Sequence, residues 1–295
     1  MNNTINGYER PNSALKIKNP VSTNSSYFFV KNFMKHFQFL LSILLVSHFF
    51  LTAGCGSKIK TQEEQKLTGI QPWSENPSYW EYNGLPVLLL GATDNDNLFQ
   101  LNHLESHLDS LSQVGGNYVR NTMSDRDETD VKAFQKNESG KYDLDQWNPV
   151  YWEKFENLLK LAKERDIIVQ IEIWDRFDHA REQWQTDPFN PKNNVNYTYE
   201  EAQLDSIYPD HPGQNKQPFF FTPPSLQDNK VLLKHQQAFV EKLLSISLDF
   251  NNVLYCLDNE TSGVEEWGIY WASFLREKSG ETNVILTEMW DHWDL

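Results

Sequence analysis

The chain has 295 residues, 39% hydrophobic and 14% aromatic with ten Trp, which is enough apolar material for one large packed domain or two small ones. Its formal net charge is −15; residues 1–54 hold Arg10, Lys16, Lys18, Lys31 and Lys35 against Glu9 alone, so the remainder stands at −19. A body this acidic does not track a phosphate backbone, so nucleic acid is excluded as a partner and neutral polymers stay compatible.

Residues 1–33 are polar and rich in Asn and Ser, with no sustained period. They predict disorder, or an extension upstream of the true start. Met34-Lys35-His36, an apolar run from Phe37 to Phe50, and Leu51-Thr52-Ala53-Gly54-Cys55 then read as a secretory signal over 34–54. The Ala-Gly-Cys ending resembles a bacterial lipobox, with Thr52 where Leu is usual. That resemblance implies lipidation of Cys55, export to the cell envelope, and membrane contact through this anchor. A membrane-spanning anchor is the alternative, since Phe37–Ala53 is near the minimum spanning length. With Cys55 lipidated, Cys256 has no disulfide partner within the chain. Residues 55–72 read as the lipidated Cys and a polar tether, and the folded part is expected over 73–295.

From there strands and helices alternate. Tyr82-Asn83-Gly84-Leu85-Pro86 is a turn out of a lead-in strand, and Val87–Ala92 is an apolar run expected to be covered on both faces. Leu104, Leu108, Leu111 and Val114 have helical spacing, closed by Gly115-Gly116. Asn117–Thr122 is the second strand. Trp147-Asn148-Pro149 opens a helix to about Arg165, with Tyr151, Phe155, Leu158, Leu159 and Ala162 on one stripe. Ile167–Trp174 is the third strand. Residues 179–227, with seven Pro, predict a long irregular insertion, either a functional loop or a disordered one. A helix over about Lys230–Leu248, a strand Asn252–Glu260, a helix Trp267–Lys278 and a strand Val284–Glu288 complete the series. Ser262 and Glu265 have capping-box spacing for the helix after the fourth strand.

Five alternations predict an α/β fold with a parallel sheet and right-handed crossovers. Two architectures fit: an open doubly wound sheet, or an incomplete (β/α)8 TIM barrel of about the first five strand-helix units. No Gly-rich phosphate loop follows the first strand, which disfavours a nucleotide-binding open sheet. Strand parity puts Gln170, Glu172 and Trp174 on one face, and Cys256, Asp258 and Glu260 on one face of the next strand. An apolar outer face beneath helices and a polar inner one suits a barrel mouth, where side chains at the carboxyl ends of strands meet substrate.

Arg120 ending a second strand and Asn259-Glu260 ending a fourth resemble the clan of (β/α)8 retaining glycoside hydrolases. Asn76-Pro77-Ser78-Tyr79-Trp80 with Asn83-Gly84-Leu85-Pro86-Val87, Tyr142-Asp-Leu-Asp-Gln-Trp147 and Asp258-Asn259-Glu260-Thr261 resemble the cellulase-like glycoside hydrolases of carbohydrate-degrading bacteria. The resemblance implies a carbohydrate substrate, Glu260 as general acid/base, and Asn259 and Arg120 as substrate contacts. A glycosidic oxygen is a poor leaving group and must be protonated as its bond breaks. The clan's nucleophile comes from a seventh strand, and this chain has five; the resemblance therefore implies a truncated form, inactive alone and left with open sheet edges. Glu172 is the lumen-facing substitute, and Glu288 a second carboxylate within possible reach of the cleft. Trp174 and Trp290 are candidate sugar-stacking platforms, and Asp175 a further substrate contact. Asp175, Asp178 and His179 read as solvated loop groups rather than a metal set. Asp94-Asn95-Asp96-Asn97 begins like a calcium loop, but Leu98 and Phe99 stand where a ligand and a Gly are required. No cofactor is expected. The rival class is a non-catalytic carbohydrate-binding surface lipoprotein.

Overall fold

The structure is a computed structural model, and it describes residues 69–212, 217–260 and 263–289. The signal segment, Cys55, the tether up to residue 68 and Trp290 lie outside the described residues. Among the described residues no helix is long and apolar enough to cross a membrane.

β1 (Gln71–Trp73), β2 (Asn76–Tyr82) and β3 (Leu85–Val87) form a small antiparallel sheet. It begins two residues before the boundary expected at Trp73, and Ile70 is already buried, its N–H donating to the Asn251 carbonyl at 3.0 Å. Between β2 and β3 stand Asn83 and Gly84, with φ of 52° and 77°. A two-residue hairpin needs that left-handed pair to match the twist of its strands, and Asn-Gly supplies it at least cost.

α1 (Leu104–Gln113) leads into β4 (Tyr118–Thr122). β5 (Phe134–Lys136) and β6 (Tyr142–Trp147) form an antiparallel hairpin that the sequence pattern does not reveal. α2 (Pro149–Lys163) starts where expected: the Asn148 side chain accepts from the Val150 N–H, and Pro149 occupies the first turn, where its missing donor costs nothing. The predicted stripe is fully buried, from Tyr151 to Ala162. β7 (Ile168–Asp175), the single-turn α3 (Tyr199–Ala202), α4 (Lys230–Ser247), β8 (Val253–Asn259), α5 (Glu265–Lys278) and β9 (Leu286–Thr287) follow.

β4, β7, β8 and β9 lie side by side in that order, all parallel, as the alternation predicts. Arg120, Gln170 and Leu254 share one level, and Thr122, Glu172 and Cys256 the next. The outer face of the sheet packs on the helices through Val119, Val169, Ile171, Tyr255 and Leu257. The inner face holds a smaller cluster in which Ile168 and Leu254 meet Tyr82, Val87 and Tyr118.

Three expectations are corrected. The run Val87–Ala92 is not a regular strand: it makes one parallel bridge, Gly91 to Tyr118, and Leu88 and Leu90 are 64% and 53% exposed. A Cβ at Gly91 would meet the Tyr118 carbonyl oxygen at 1.7 Å, so only glycine permits even this approach. The helix after β8 starts later than expected: the N-cap of α5 is Val264 rather than Ser262, which lies outside the described residues, and Glu265 is its first residue, placed with Glu266 at the positive end of the helix dipole. Much of 179–227 is a built unit rather than an irregular loop. Trp184, Asn190, Asn194, Phe219 and Phe220 are buried, and the Asn190 and Asn194 amides donate to the carbonyls of Trp184 and Pro188 at 2.7 and 3.0 Å. Side-chain amides here replace the backbone partners that a regular element would supply.

Candidate functional site

The polar groups of the inner face converge at the carboxyl ends of β4, β7 and β8. Arg120 leaves β4 and reaches across the sheet. Its Nε and Nη2 donate to Glu172 Oε1 and Oε2 at 2.5 and 3.2 Å, and Nη2 also donates to Asn259 Oδ1 at 2.8 Å. Gln170 adds a donor to Glu172 Oε1 at 3.1 Å. The Asn259 amide in turn donates to Asp175 Oδ2 at 3.2 Å. One guanidinium therefore ties three strands, because its fork offers five donors in a fixed plane. Burial raises the Glu172 pKa, against the opposing pull of Arg120; the hydrogen bond to Glu172 raises that of Arg120.

A second guanidinium extends the network outward. Arg126, in the loop after β4, donates to Asp175, to Asp178 Oδ1 at 3.1 Å and to Asp96 Oδ2 at 2.9 Å. Ser124 Oγ donates to Asp178 Oδ1 at 2.7 Å. His179 pairs with Asp187 at 2.6 Å and stacks on Phe219, ring centroids 3.8 Å apart. Asp178 and His179 are thus held by named partners rather than free in a loop. Among the described residues no group of three or more His, Cys, Asp or Glu is placed to hold a metal ion.

Period-two alternation breaks at the same level of β7 and β8. Glu172 and Asp175, three residues apart, both join the inner network, while Trp174 between them faces the helices. There it packs on Phe219, Phe239, Trp267 and Trp271 and is 3% exposed. Asp258 likewise turns outward and accepts from Trp267 Nε1 at 2.8 Å, whereas its neighbour Asn259 turns inward. The parity reading of Trp174 and Asp258 is therefore corrected: Trp174 has no open face on which a sugar could stack. Glu172 and Asp175 are buried; Glu172 holds Arg120, and Asp175 holds Asn259 and Arg126. Glu260 follows Asn259 directly, is exposed, and has φ of 41°. A left-handed backbone at a residue without local side-chain compensation costs about 1 kcal/mol, and here it marks the abrupt end of β8. Glu288 does not point into the inner network; it lies beside Gly268 of α5, on the helix side of β8. Arg126 and Ser124 are the site residues that sequence reasoning missed. Their loop carries no spacing signal, and only the chain reversal after β4 brings them to β7.

The protonation of this region predicts a pH trend. Asp178 is pushed up to about 8, first by burial and then by Asp175. Asp258 and Asp130 are pushed up to about 6, in both cases mainly by burial. Burial pulls His179 down, but the carboxylates of Asp187, Asp178 and Asp175 together outweigh it and the net shift is upward. Each group holds its proton more firmly folded than unfolded, so the native chain binds more protons between about pH 4 and pH 8. Stability then falls as pH rises through that window. The melting temperature is expected to be higher at pH 6 than at pH 8.5, and Asp178→Asn to flatten the slope. A melting temperature that climbs over the same range would refute the assignment.

No protein-family model matches the chain. No curated protein matches it either. Solved structures do: a glycoside hydrolase family 5 mannosidase from Rhizomucor miehei is similar with TM-score 0.53 at 12% identity, over 77% of this chain and 57% of that one. A mutant of that mannosidase in complex with mannosyl-fructose gives TM-score 0.53 at 11% identity, over 76% and 56%. An endo-1,4-β-mannanase from the same organism gives 0.49 at 11%, over 75% and 60%. At these identities the likeness is one of fold: a mixed α/β chain whose parallel sheet follows (β/α)8 enzymes. The chain spans about 57% of the length of the mannosidase.

Proposed function

We propose that this chain carries the acid/base side of a retaining glycoside hydrolase site. In this reading Glu260 protonates the glycosidic oxygen, Asn259 and Arg120 contact sugar hydroxyls, and Glu172 and Asp175 hold those two in place. One observation carries it: the 2.8 Å bond from Arg120 Nη2 to Asn259 Oδ1, which joins the carboxyl ends of β4 and β8 immediately before the exposed Glu260. A donor, an amide and a carboxyl group fixed together at one sheet edge suit recognition of a polyol and proton delivery beside it.

The second carboxylate of a retaining pair sits about 5 Å from the first. Glu172 is committed to Arg120, Asp175 to Arg126 and Asn259, and Glu288 lies against α5, so in this reading the nucleophile is none of these. The 295-residue chain is expected to bind neutral oligosaccharides without hydrolysing them. Asn259→Ala should weaken that binding about tenfold, the worth of one buried hydrogen-bonding group. Glu260→Gln should leave it within about twofold. Calorimetry and reducing-end assays check both. Measured turnover would overturn the missing nucleophile, and affinity indifferent to Asn259 would overturn the site.

A further inference from the structure

Between the β5–β6 hairpin and the 182–193 segment lies an open cavity of about 650 Å³. It adjoins the candidate site through Arg126, which lines it and also binds Asp175. Its hairpin side is cationic in a chain of net charge −15. Three lysines gather around Tyr142. Lys136 is the cross-strand partner of Tyr142 and holds its Nζ 4.9 Å above that ring. Lys141 precedes Tyr142 in the chain. Lys192 precedes Asn193, whose carbonyl accepts the Tyr142 N–H at 2.7 Å. The parallel bridge from Tyr142 to Asn194 fixes these two segments side by side.

Two of the three, Lys141 and Lys192, also lack a partner, whereas Lys136 has the Tyr142 ring. Elsewhere among the described residues each lysine has a carboxylate, a carbonyl or a ring: Lys154 the Gln100 carbonyl, Lys160 Glu156, Lys234 Asp145, Lys278 Glu241. Lys132, on the loop side of this cavity, is bound to Asp125. Lys141 and Lys192 are exposed and have no such partner among the described residues. The acids of the lining, Asp127, Glu128 and Asp130, sit in the loop beside Arg126, and Glu182 on the opposing segment; among the described residues no ion pair joins them to a lysine of the hairpin side. Like charges are not placed together without an attraction to offset their repulsion, and an anion supplies one.

We propose that this cavity is a subsite for an anionic group on a glycan, a uronate carboxylate or a sulfate ester, held by Lys136, Lys141 and Lys192 with Tyr142 as their floor. The proposal rests on the glycan-binding reading above and deepens it: the substrate class becomes an acidic oligosaccharide that runs from the Arg120–Asn259 edge past Arg126 to the hairpin. Carboxylate and sulfate share the chemistry that recognises them, and the test separates them.

The test is calorimetry on the full chain with three probes: a uronate tetramer, a sulfated oligosaccharide and a neutral tetramer of similar length. The two anionic probes, or one of them, are expected to bind at least about tenfold tighter than the neutral one. Lys141→Glu/Lys192→Glu should remove that preference, a loss of about tenfold or more for two reversed charges. Lys141→Gln/Lys192→Gln should remove most of it, and serves if the reversal perturbs folding. Lys230→Glu/Lys234→Glu, which makes the same change of net charge on α4, should leave the preference intact. The better of the two anionic probes identifies the group. Equal affinity for neutral and anionic probes, or an equal loss in the α4 variant, overturns the subsite and leaves the glycan reading standing. If no oligosaccharide binds, the glycan reading fails. Inorganic sulfate then decides the anion site: amide shifts at Tyr142 and Asn193 that vanish in the Lys141/Lys192 variants sustain it, and their absence overturns it.

Discussion

Arg120→Met is expected to destabilise the chain by about 3 kcal/mol, the loss typical when one partner of a buried ion pair is removed. Glu172 has 1% of its side chain exposed and takes both of its charged contacts from Arg120. Without the guanidinium, its charge is left in the sheet with only the Gln170 amide. Burial already raises its pKa, and the loss of Arg120, which lowers it, raises it further. Arg120→Met/Glu172→Gln should therefore recover at least half the loss, since a neutral amide has no charge to desolvate. Arg120→Lys should fall between, because a point charge cannot hold Glu172 and Asn259 in the geometry of a fork. Urea denaturation of the four proteins measures this as a double-mutant cycle. A loss below about 1 kcal/mol for Arg120→Met, or no recovery in the double variant, would show that the pair does not organise the sheet edge. The same variant removes the donor to Asn259 Oδ1 and leaves that amide held by Asp175 alone among the contacts described.

Trp267→Ala should cost still more, about 4 kcal/mol, as large aromatic truncations in cores do. The ring is 1% exposed and touches Trp174, Phe220 and Trp271, with the Arg176 guanidinium 6.0 Å from its centroid. Its N–H donates to Asp258, whose carboxyl also lies 3.7 Å from Arg176. The substitution opens a cavity and removes a donor from a buried acid together. Trp267→Phe separates the two: packing is largely kept, and the lost hydrogen bond to a charged group costs about 2 kcal/mol. Asp258→Asn in the Phe background should soften that cost. Because Asp258 precedes Asn259, Trp267→Ala should also weaken the glycan binding proposed above, although Trp267 is buried on the helix side. Against a typical total of about 5–15 kcal/mol, such a loss leaves little margin at 37 °C. Denaturation midpoints and oligosaccharide affinity, measured together, check both halves. A stability change without any change in affinity would show that the core and the turn are uncoupled.

The legibility of this chain differs sharply between its layers. The helices were readable because their stripes follow a 3.6-residue period that only one face of packing satisfies, as Tyr151 to Ala162 shows. The parallel sheet was readable because strands that alternate with helices have few other ways to pair. Asn83-Gly84 was readable because few residue pairs tolerate two left-handed conformations. Arg120, Asn259 and Glu260 could be singled out by their place at strand ends. The β5–β6 hairpin and the 182–193 unit could not be read. Their order comes from side-chain amides that bond to backbone groups elsewhere in the chain, such as Asn196 Oδ1 accepting from the Leu144 N–H at 2.8 Å, and no local period records such bonds.

By itself, then, the sequence determined the long helices and the strands β4, β7 and β8, that these strands pair in parallel, and which of their ends carry polar groups, because each depends on local propensity and spacing. Only the tertiary structure decided which way those groups face. Alternation fails at the ends of β7 and β8, where the sheet twists into the turns after it. That change of phase sends Trp174 and Asp258 into the helix layer and brings Asp175 and Asn259 inward. It likewise decided that Arg126 reaches Asp175 and that Lys136, Lys141 and Lys192 meet around Tyr142. Those meetings join residues tens of positions apart, and the energy that selects them, burial of one core by the whole chain, is not written in any single stretch of it.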